Sequence, residues 1–333
     1  PGAAVWVSAS VNPGYRLLGW STDPEGFDVV STDNPYVFTM PATDMQLYAQ
    51  YVGADLIFQD SFESGLGAWT DVSTGGYAKI STTNHNLGER SLQIDDIGIR
   101  QTRTLAVTTG PLALRFWLKD PGPGGTRTNL IYADMRNGGW GPPLLGISPF
   151  SGQSFYQSRG PATQYEDMPL ATRLVSSEGN EVWNRVDIAL DGAGTARYYV
   201  NGVLTKTMSG ATPAQIDRIY LGNGTSSGAM TPAYFDDIAF FTNPRLLTTS
   251  ISPEGGGSIE GYQRNQKLKG ATTGFYYENE PIRLVAVPAP GYSFAGWTDG
   301  GGTQISTSST LDLVMPGADL TVSAVFEPDV YAW

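Results

Sequence analysis

The chain has 333 residues and a formal charge of −12, from 20 Lys and Arg against 32 Asp and Glu, and the basic residues form no cluster. That balance excludes nucleic acid and anionic membrane surfaces as partners, since both need Lys/Arg-rich surface, and no run of 18 apolar residues exists to form a membrane-spanning helix. No cysteine is present, which removes disulfides, thiolate nucleophiles and zinc–thiolate sites together.

Forty-one glycines, 22 prolines and the lack of a helical apolar stripe argue for short strands joined by turns. The expected class is all-β: a central two-sheet jelly-roll sandwich flanked by two small β repeat modules. The expected boundaries are 1–53, 54–243 and 244–328, with a short tail at 329–333.

Internal repetition defines the flanks. The first copy reads VWVSASV (Val5 to Val11), NPGYRLLGWSTD (Asn12 to Asp23) and FTMPATDMQLYAQY (Phe38 to Tyr51). The last reads IRLVAV (Ile282 to Val287), APGYSFAGWTDG (Ala289 to Gly300) and LVMPGADLTVSAVF (Leu313 to Phe326). The first copy lacks a counterpart of LLTTSISPEGGGSIEG (Leu246 to Gly261), so it is expected to expose backbone groups and a flank of its core. Either the parent protein extends upstream, or another chain supplies the strands.

In the middle, candidate strands recur every 8 to 15 residues: Leu56 to Phe62, Ala78 to Ser81, Ser91 to Ile94, Leu112 to Leu118, Asn129 to Met135 and Leu144 to Ser148. They continue with Ser154 to Gln157, Arg185 to Leu190, Ala196 to Val203, Arg218 to Leu221 and Ala233 to Phe241. Asn201-Gly202 is a hairpin turn signal, because both residues tolerate positive φ. About ten antiparallel strands of this kind read as a two-sheet jelly roll.

Two segments carry an acid among aromatic residues. Alternation puts Tyr234, Asp236, Ile238 and Phe240 on one face, and Leu56, Phe58, Asp60 and Phe62 on another, with Glu63 just after. An inward carboxylate is costly unless it is paired, hydrogen-bonded or metal-bound. One reading makes these acids turn caps or acceptors of backbone N–H groups. The other makes them ligands that join the first and last strands around a cation, for which oxygen-only donors point to calcium.

Family resemblances enter on these residues. The two flanking copies, with G-Y-x-x-x-G-W and M-P-x-x-D, resemble the bacterial extracellular repeat family related to the divergent internalin B repeats. That resemblance implies Trp297, Tyr292 and Phe326 as core and a spacer or adhesive-stalk role. FESGLGAW, LGERSL, LRFWLKD and YFDDIAF resemble the motif order of jelly-roll carbohydrate-binding modules. WNRVDIALDGAGTARYYVNGV (Trp183 to Val203) is similar to laminin-G-like and concanavalin-like sandwiches. The carbohydrate-binding resemblance implies a structural calcium held by Asp60 or Glu63, the backbone from Asn84 to Gly88, and Asp236.

A sugar site needs aromatic platforms and a few polar forks. Trp140, in the Gly- and Pro-rich DMRNGGWGPP, is the leading candidate, with Arg136 and Asn137 beside it and Tyr156 and Tyr165 in FYQSRG and TQYEDM. Trp69, Trp117 and Trp183 sit in framework positions and read as core. No E-x-D-x-x-E string and no Ser–His–Asp order can be built around the only histidine, His85, which reads as a surface residue. The expected protein is a non-catalytic, secreted or surface-bound bacterial adhesion fragment that recognises a polysaccharide or surface glycan, with structural calcium. The alternatives are a filament or stalk subunit completed by other copies of itself or by further domains, and a polysaccharide lyase or hydrolase.

Overall fold

The computed structural model describes every residue except 1, 23, 25–28, 97, 121–130, 139–144, 150–153, 160–165, 175–181, 211–214, 224–231, 264–265, 269–270 and 330–333. Every regular element among the described residues is a strand. Two large antiparallel sheets form the centre. The seven-stranded one runs, edge to edge, Glu166–Thr172, Phe155–Arg159, Leu145–Pro149, Ile131–Arg136, Ile216–Asn223, Arg100–Thr108 and Thr70–Asp71. The other runs Val203–Met208, Ala196–Val200, Asn184–Leu190, Leu112–Lys119, Ala233–Thr242, Ser91–Ile94 and Lys79–Ser81, and Leu56–Asp60 also pairs with Ala233–Thr242.

Period-2 alternation builds the core between them. Leu114, Phe116, Leu118, Phe235 and Phe240 from one sheet meet Ala133, Met135, Ile147, Ile219 and Leu221 from the other. Full burial of a large apolar side chain such as these contributes about 1.5–3 kcal/mol. The Asn201-Gly202 turn forms as expected, with φ of 51° and 80°, between Val200 and its partner Val203. Four strands of the sandwich are missing from the expected ones: Thr70–Asp71, Arg100–Thr108, Glu166–Thr172 and Val203–Met208. Arg100–Thr108 breaks register between Thr104 and Thr108, so its apolar residues keep no steady period. Glu166–Thr172 shows only scattered inward positions.

The first and last strands of the sandwich do lie side by side, with Ile238 opposite Asp60 and Phe240 opposite Phe58. The expected facing of their acids needs correction. A bulge shifts register between Arg115 and Trp117, and Asp237 takes φ 48°. The extra residue flips the alternation. Phe235, Ile238 and Phe240 therefore enter the core, whereas Asp236 lies opposite Trp117 on the other face, near Tyr234. A second shift, between Phe240 and Phe241, likewise sends Leu56 away from Phe58 into a separate outer cluster.

That outer face is not left to water. All but the last residue of Leu112–Lys119, and every residue of Asn184–Leu190, are buried on both faces. The cover comes from the terminal repeat. Phe275 and Tyr277 join Ala113, Ala189, Tyr199 and Phe241 in one apolar cluster that also takes Val52 from the first repeat. Leu268 packs with Trp117 and Trp183 in another. These two tryptophans are framework residues, as read, but the core they belong to lies under the repeat. Arg115 reaches Glu280 with both guanidinium nitrogens, at 2.6 and 3.1 Å, and donates to Phe275 O. Arg185 pairs with Asp187 and also donates to Tyr276 Oη at 2.6 Å, while Asp187 accepts the Phe275 N–H. The two repeats touch as well: Asn279 Nδ2 donates to Gly14 O at 3.1 Å, and Gly53 lies against Tyr277 and Glu278 with no room for a Cβ.

In the terminal repeat, Gly274–Tyr276, Arg245–Ser252, Leu320–Pro328, Tyr292–Asp299 and Gln304–Ser306 make one sheet, and Gln266–Lys267, Gly257–Gln263, Pro281–Pro288 and Thr310–Val314 the other. Trp297 and Phe326 are core and Tyr292 packs against them, as the resemblance implied. Among the described residues, the first repeat has Tyr15–Ser21 between Val29–Ser31 and Tyr48–Gly53, and Ala4–Val7 against Tyr36–Thr39.

Candidate functional site

The face of the seven-stranded sheet turned away from the core carries a charged cluster. Ala133, Met135, Ile147 and Leu221 point into the core. Their strand neighbours Asp134, Arg136, Ser148 and Tyr220 therefore point outward. Asp134 stands opposite Gly146 and Tyr220, and Gly146 opposite Arg159, so these residues form one transverse row.

Asp134 Oδ2 accepts from Arg136 Nη2 at 2.6 Å and from Arg159 Nη1 at 2.8 Å. All three side chains are buried. Asp134 Oδ1 is buried and has no donor among the described residues. Burial pushes its carboxyl up from the ordinary aspartate value, against the opposing pull of Arg159 and Arg136. A Cβ on Gly146 would collide with Asp134 Oδ1 and would lie 2.9 Å from Ala133 O, so glycine is what lets this carboxylate lie flat across the neighbouring strand. The Arg136 guanidinium sits 5.0 Å from the centre of the Tyr220 ring. From the opposite sheet, the Tyr198 hydroxyl crosses the core and donates to Arg159 O at 3.3 Å.

Further along the row, Gln157 Nε2 donates to Asp167, and Gln157 Oε1 is a second buried acceptor with no donor among the described residues. At the sheet end, Asp217 accepts from Gly138 N at 3.0 Å and pairs with Arg218, which fixes the turn beside exposed Asn137. Guanidinium forks beside carboxylate and amide oxygens that lack a donor can both donate to and accept from hydroxyl groups.

The predicted sugar contacts divide. Arg136 is in the cluster, but as a buried partner of Asp134 rather than a loop side chain. Asn137 is exposed beside it. Tyr156 is corrected: it is fully buried in the sandwich core near the Asp120–Arg173 ion pair, because it alternates with outward Gln157. Trp140 and Tyr165 lie outside the described residues. Ile131–Arg136 and Phe155–Arg159 run in the same direction, so Arg136 and Arg159 mark the same end of the sheet. Asp134 and Gln157 were not singled out in the sequence.

The predicted ion ligands also divide. Asp60 is engaged by protein: its carboxylate accepts from Phe62 N and Trp69 Nε1 at 2.9 Å and from Arg103 Nη1 at 3.0 Å. An arginine on this carboxylate argues against its serving as a cation ligand. Glu63 and Asp236 do converge on the loop from Asn84 to Arg90. Glu63 accepts from Glu89 N and Arg90 N, and Gly88, at φ 66°, leaves the space its carboxylate fills. Buried Asp236 accepts from Asn86 N at 2.7 Å and Asp237 N at 2.8 Å. Burial raises its carboxyl well above the usual range, and Asp237 and Glu63 push it further. The Asn84 side chain accepts from Lys119 and its backbone oxygen from Ser91. His85 is half-buried here. Among the described residues no group of three His, Cys, Asp or Glu side chains has metal-binding geometry. Any oxygen cage would therefore combine Glu63 and Asp236 with backbone carbonyls.

The molecule is thus an all-β protein in which a two-sheet sandwich carries a buried polar face and is clasped by two β repeats. Residues 1–55 and 247–330 match the family model of the divergent InlB B-repeat domain, on the same motifs that suggested it in the sequence. No curated protein matches the chain. Among solved structures it is similar to the cellulose induced protein Cip1, at 20% identity and TM-score 0.44 over 55% of this chain and 96% of that one. It is also similar to domain 4 of AbnA, an extracellular arabinanase of Geobacillus stearothermophilus solved with arabinotriose, at 14% identity and TM-score 0.40 over 56% and 92%. A sialidase matches at 13% identity and TM-score 0.41, over 63% of this chain and 20% of that chain.

Proposed function

We propose that the central sandwich is a non-catalytic glycan-binding domain of a secreted or surface-bound bacterial protein, and that the Asp134–Arg136–Arg159 row is the floor of its site. The observation that carries this reading is the buried, outward-facing Asp134 carboxylate with one oxygen unclaimed. Sugar hydroxyls both donate and accept, so they satisfy such an oxygen and the adjacent guanidiniums at once. Asn137 lies exposed beside the row, and Trp140 and Tyr165 remain the sequence's candidates for stacking on a pyranose face. In affinity gels over a polysaccharide panel, wild type should be retarded by at least one glycan. Asp134→Asn and Arg159→Met should each weaken that binding about tenfold or more, as expected for a hydrogen bond to a charged group. Retardation that both variants leave unchanged would sink the proposal.

The calcium expectation is kept in narrower form. We propose Glu63, Asp236 and the backbone of the 84–88 loop as the holders, without Asp60. A bound divalent cation would offset the negative charge that Asp237 and Glu63 add around Asp236 and tie the opening segment to the closing strand. A chelator should then lower the melting temperature, since a ligand bound only by the native state stabilises it by about 2.7 kcal/mol at a hundredfold excess over Kd. Asp236→Asn should make the protein indifferent to chelator. Identical melting of wild type in calcium and in chelator would refute the ion.

A further inference from the structure

The bulge that turns Asp236 outward has a small polar cavity beside it. Arg115 stands opposite Ala239 and Trp117 opposite Asp236, so Phe116 alone faces two residues, Asp237 and Ile238. A bulge of this kind interrupts the ladder and bends the strand. The cavity measures about 20 Å³, and its walls include Gln59, Asp60 and Ser61 of the opening segment, Leu87, Arg115 and Asp237.

Arg115 is 2% exposed, and its two terminal nitrogens are engaged by the terminal repeat, on Glu280 and on Phe275 O. Its Nε–H is buried and has no acceptor among the described residues. A buried donor without an acceptor is costly. The Asp237 carboxylate, on the same cavity, accepts from Asn86 Nδ2 at 2.7 Å, while the neighbouring Asp236 accepts from Asn86 N at 2.7 Å. The cavity therefore stands between the hold of the terminal repeat on Arg115 and the loop that carries Asn86.

Size and charge together select the occupant. The guanidinium on one wall opposes a cation, and the carboxylates of Asp60 and Asp237 oppose an anion. A water needs about 10–15 Å³ and two to four polar partners, and it can donate and accept at once. A second cavity, of about 10 Å³ among Trp117, Leu268, Tyr276 and Leu284, is the contrast: it is smaller and apolar atoms wall it, so nothing there would hold a water.

We propose that the cavity at the bulge is the site of a single structural water, which accepts from Arg115 Nε and donates to the Asp237 carboxylate. The contacts then run from Glu280 through Arg115, the water and Asp237 to Asn86. Seating of the terminal repeat on the sandwich thereby steadies the loop on which Glu63 and Asp236 converge, and groups joined in one such network are coupled in stability. The coupling needs no ion in that loop.

A high-resolution crystal structure of the full chain should show one ordered water within hydrogen-bond reach of Arg115 Nε and an Asp237 carboxylate oxygen. In solution, hydrogen exchange of wild type is compared with that of Arg115→Met combined with Glu280→Leu, which removes the donor and keeps the joint filled. The Asn86 and Asp237 amides, both bonded to Asp236, should exchange about tenfold faster in the variant, the scale of a hydrogen bond to a charged group. Amides of Arg245–Ser252 and Leu320–Pro328 should keep their protection. Should that variant loosen the repeat, Arg115→Lys keeps a charge for Glu280 but carries a methylene where Nε stands, and gives the same readout. No ordered water in the crystal, an ion in its place, or unchanged exchange at Asn86 and Asp237 in the variant that keeps the repeat protected overturns the inference.

Discussion

Glu280→Gln should be among the most destabilising single substitutions in this protein, lowering the unfolding free energy by about 3–5 kcal/mol. Glu280 receives both nitrogens of Arg115 at a joint where each side chain is almost wholly buried. Removing one charge leaves the other desolvated and uncompensated, which costs more than the intact pair contributes. The double substitution Arg115→Met with Glu280→Leu should recover most of the loss, since a buried pair and an apolar replacement of similar volume are often close in stability. Urea unfolding of wild type and the two variants checks this. A loss under 1 kcal/mol for Glu280→Gln would mean that the terminal repeat lifts off the sandwich and lets water reach Arg115.

Gly146→Val should uncouple the site from the fold. Its side chain would occupy the space of Asp134 Oδ1 and crowd Ala133 O, so Asp134 must rotate away from Arg136 and Arg159 or the two strands must part. Overpacking of this kind costs about 1–3 kcal/mol. The larger effect falls on glycan binding, which should disappear along with the row that forms the floor. Retained binding with the expected stability loss would move the site off this face and onto the loops alone.

How far the sequence carries depends on whether a residue's role is local. Gly-Tyr, Gly-Trp and Met-Pro in the repeats are turn and core signals that act within a few residues, and the modules follow them closely. The pairing of the first and last sandwich strands was legible because both ends showed the same pattern of acid among aromatics. Which way those acids point was not. One bulged residue at Asp237 reverses every side chain on one side of it, and nothing in YFDDIAFF marks the extra residue. Asp134 escaped notice for the opposite reason. In IYADMR an acid between apolar residues is the ordinary mark of a solvated strand face, and its distinguishing partners, Gly146 and Arg159, lie on other strands. The Arg115–Glu280 joint spans 165 residues of sequence. An arginine inside LRFWLKD gives no hint that its counter-ion sits in a different repeat.

The pairing of Leu56–Asp60 with Ala233–Thr242 also has a mechanical side. The chain enters and leaves the sandwich at adjacent points, where Thr242 N donates to Asp55 O at 2.9 Å. Tension pulling the two repeats apart would peel that strand pair open one hydrogen bond at a time, the weakest way to load a β ribbon. It cannot do so until the clasp at Gly14–Asn279 and Gly53–Tyr277 has yielded, because the clasp lies in parallel with the ribbon. Under traction the sandwich therefore hangs beside the line of force, and its polar face stays slack while the repeats bear the load.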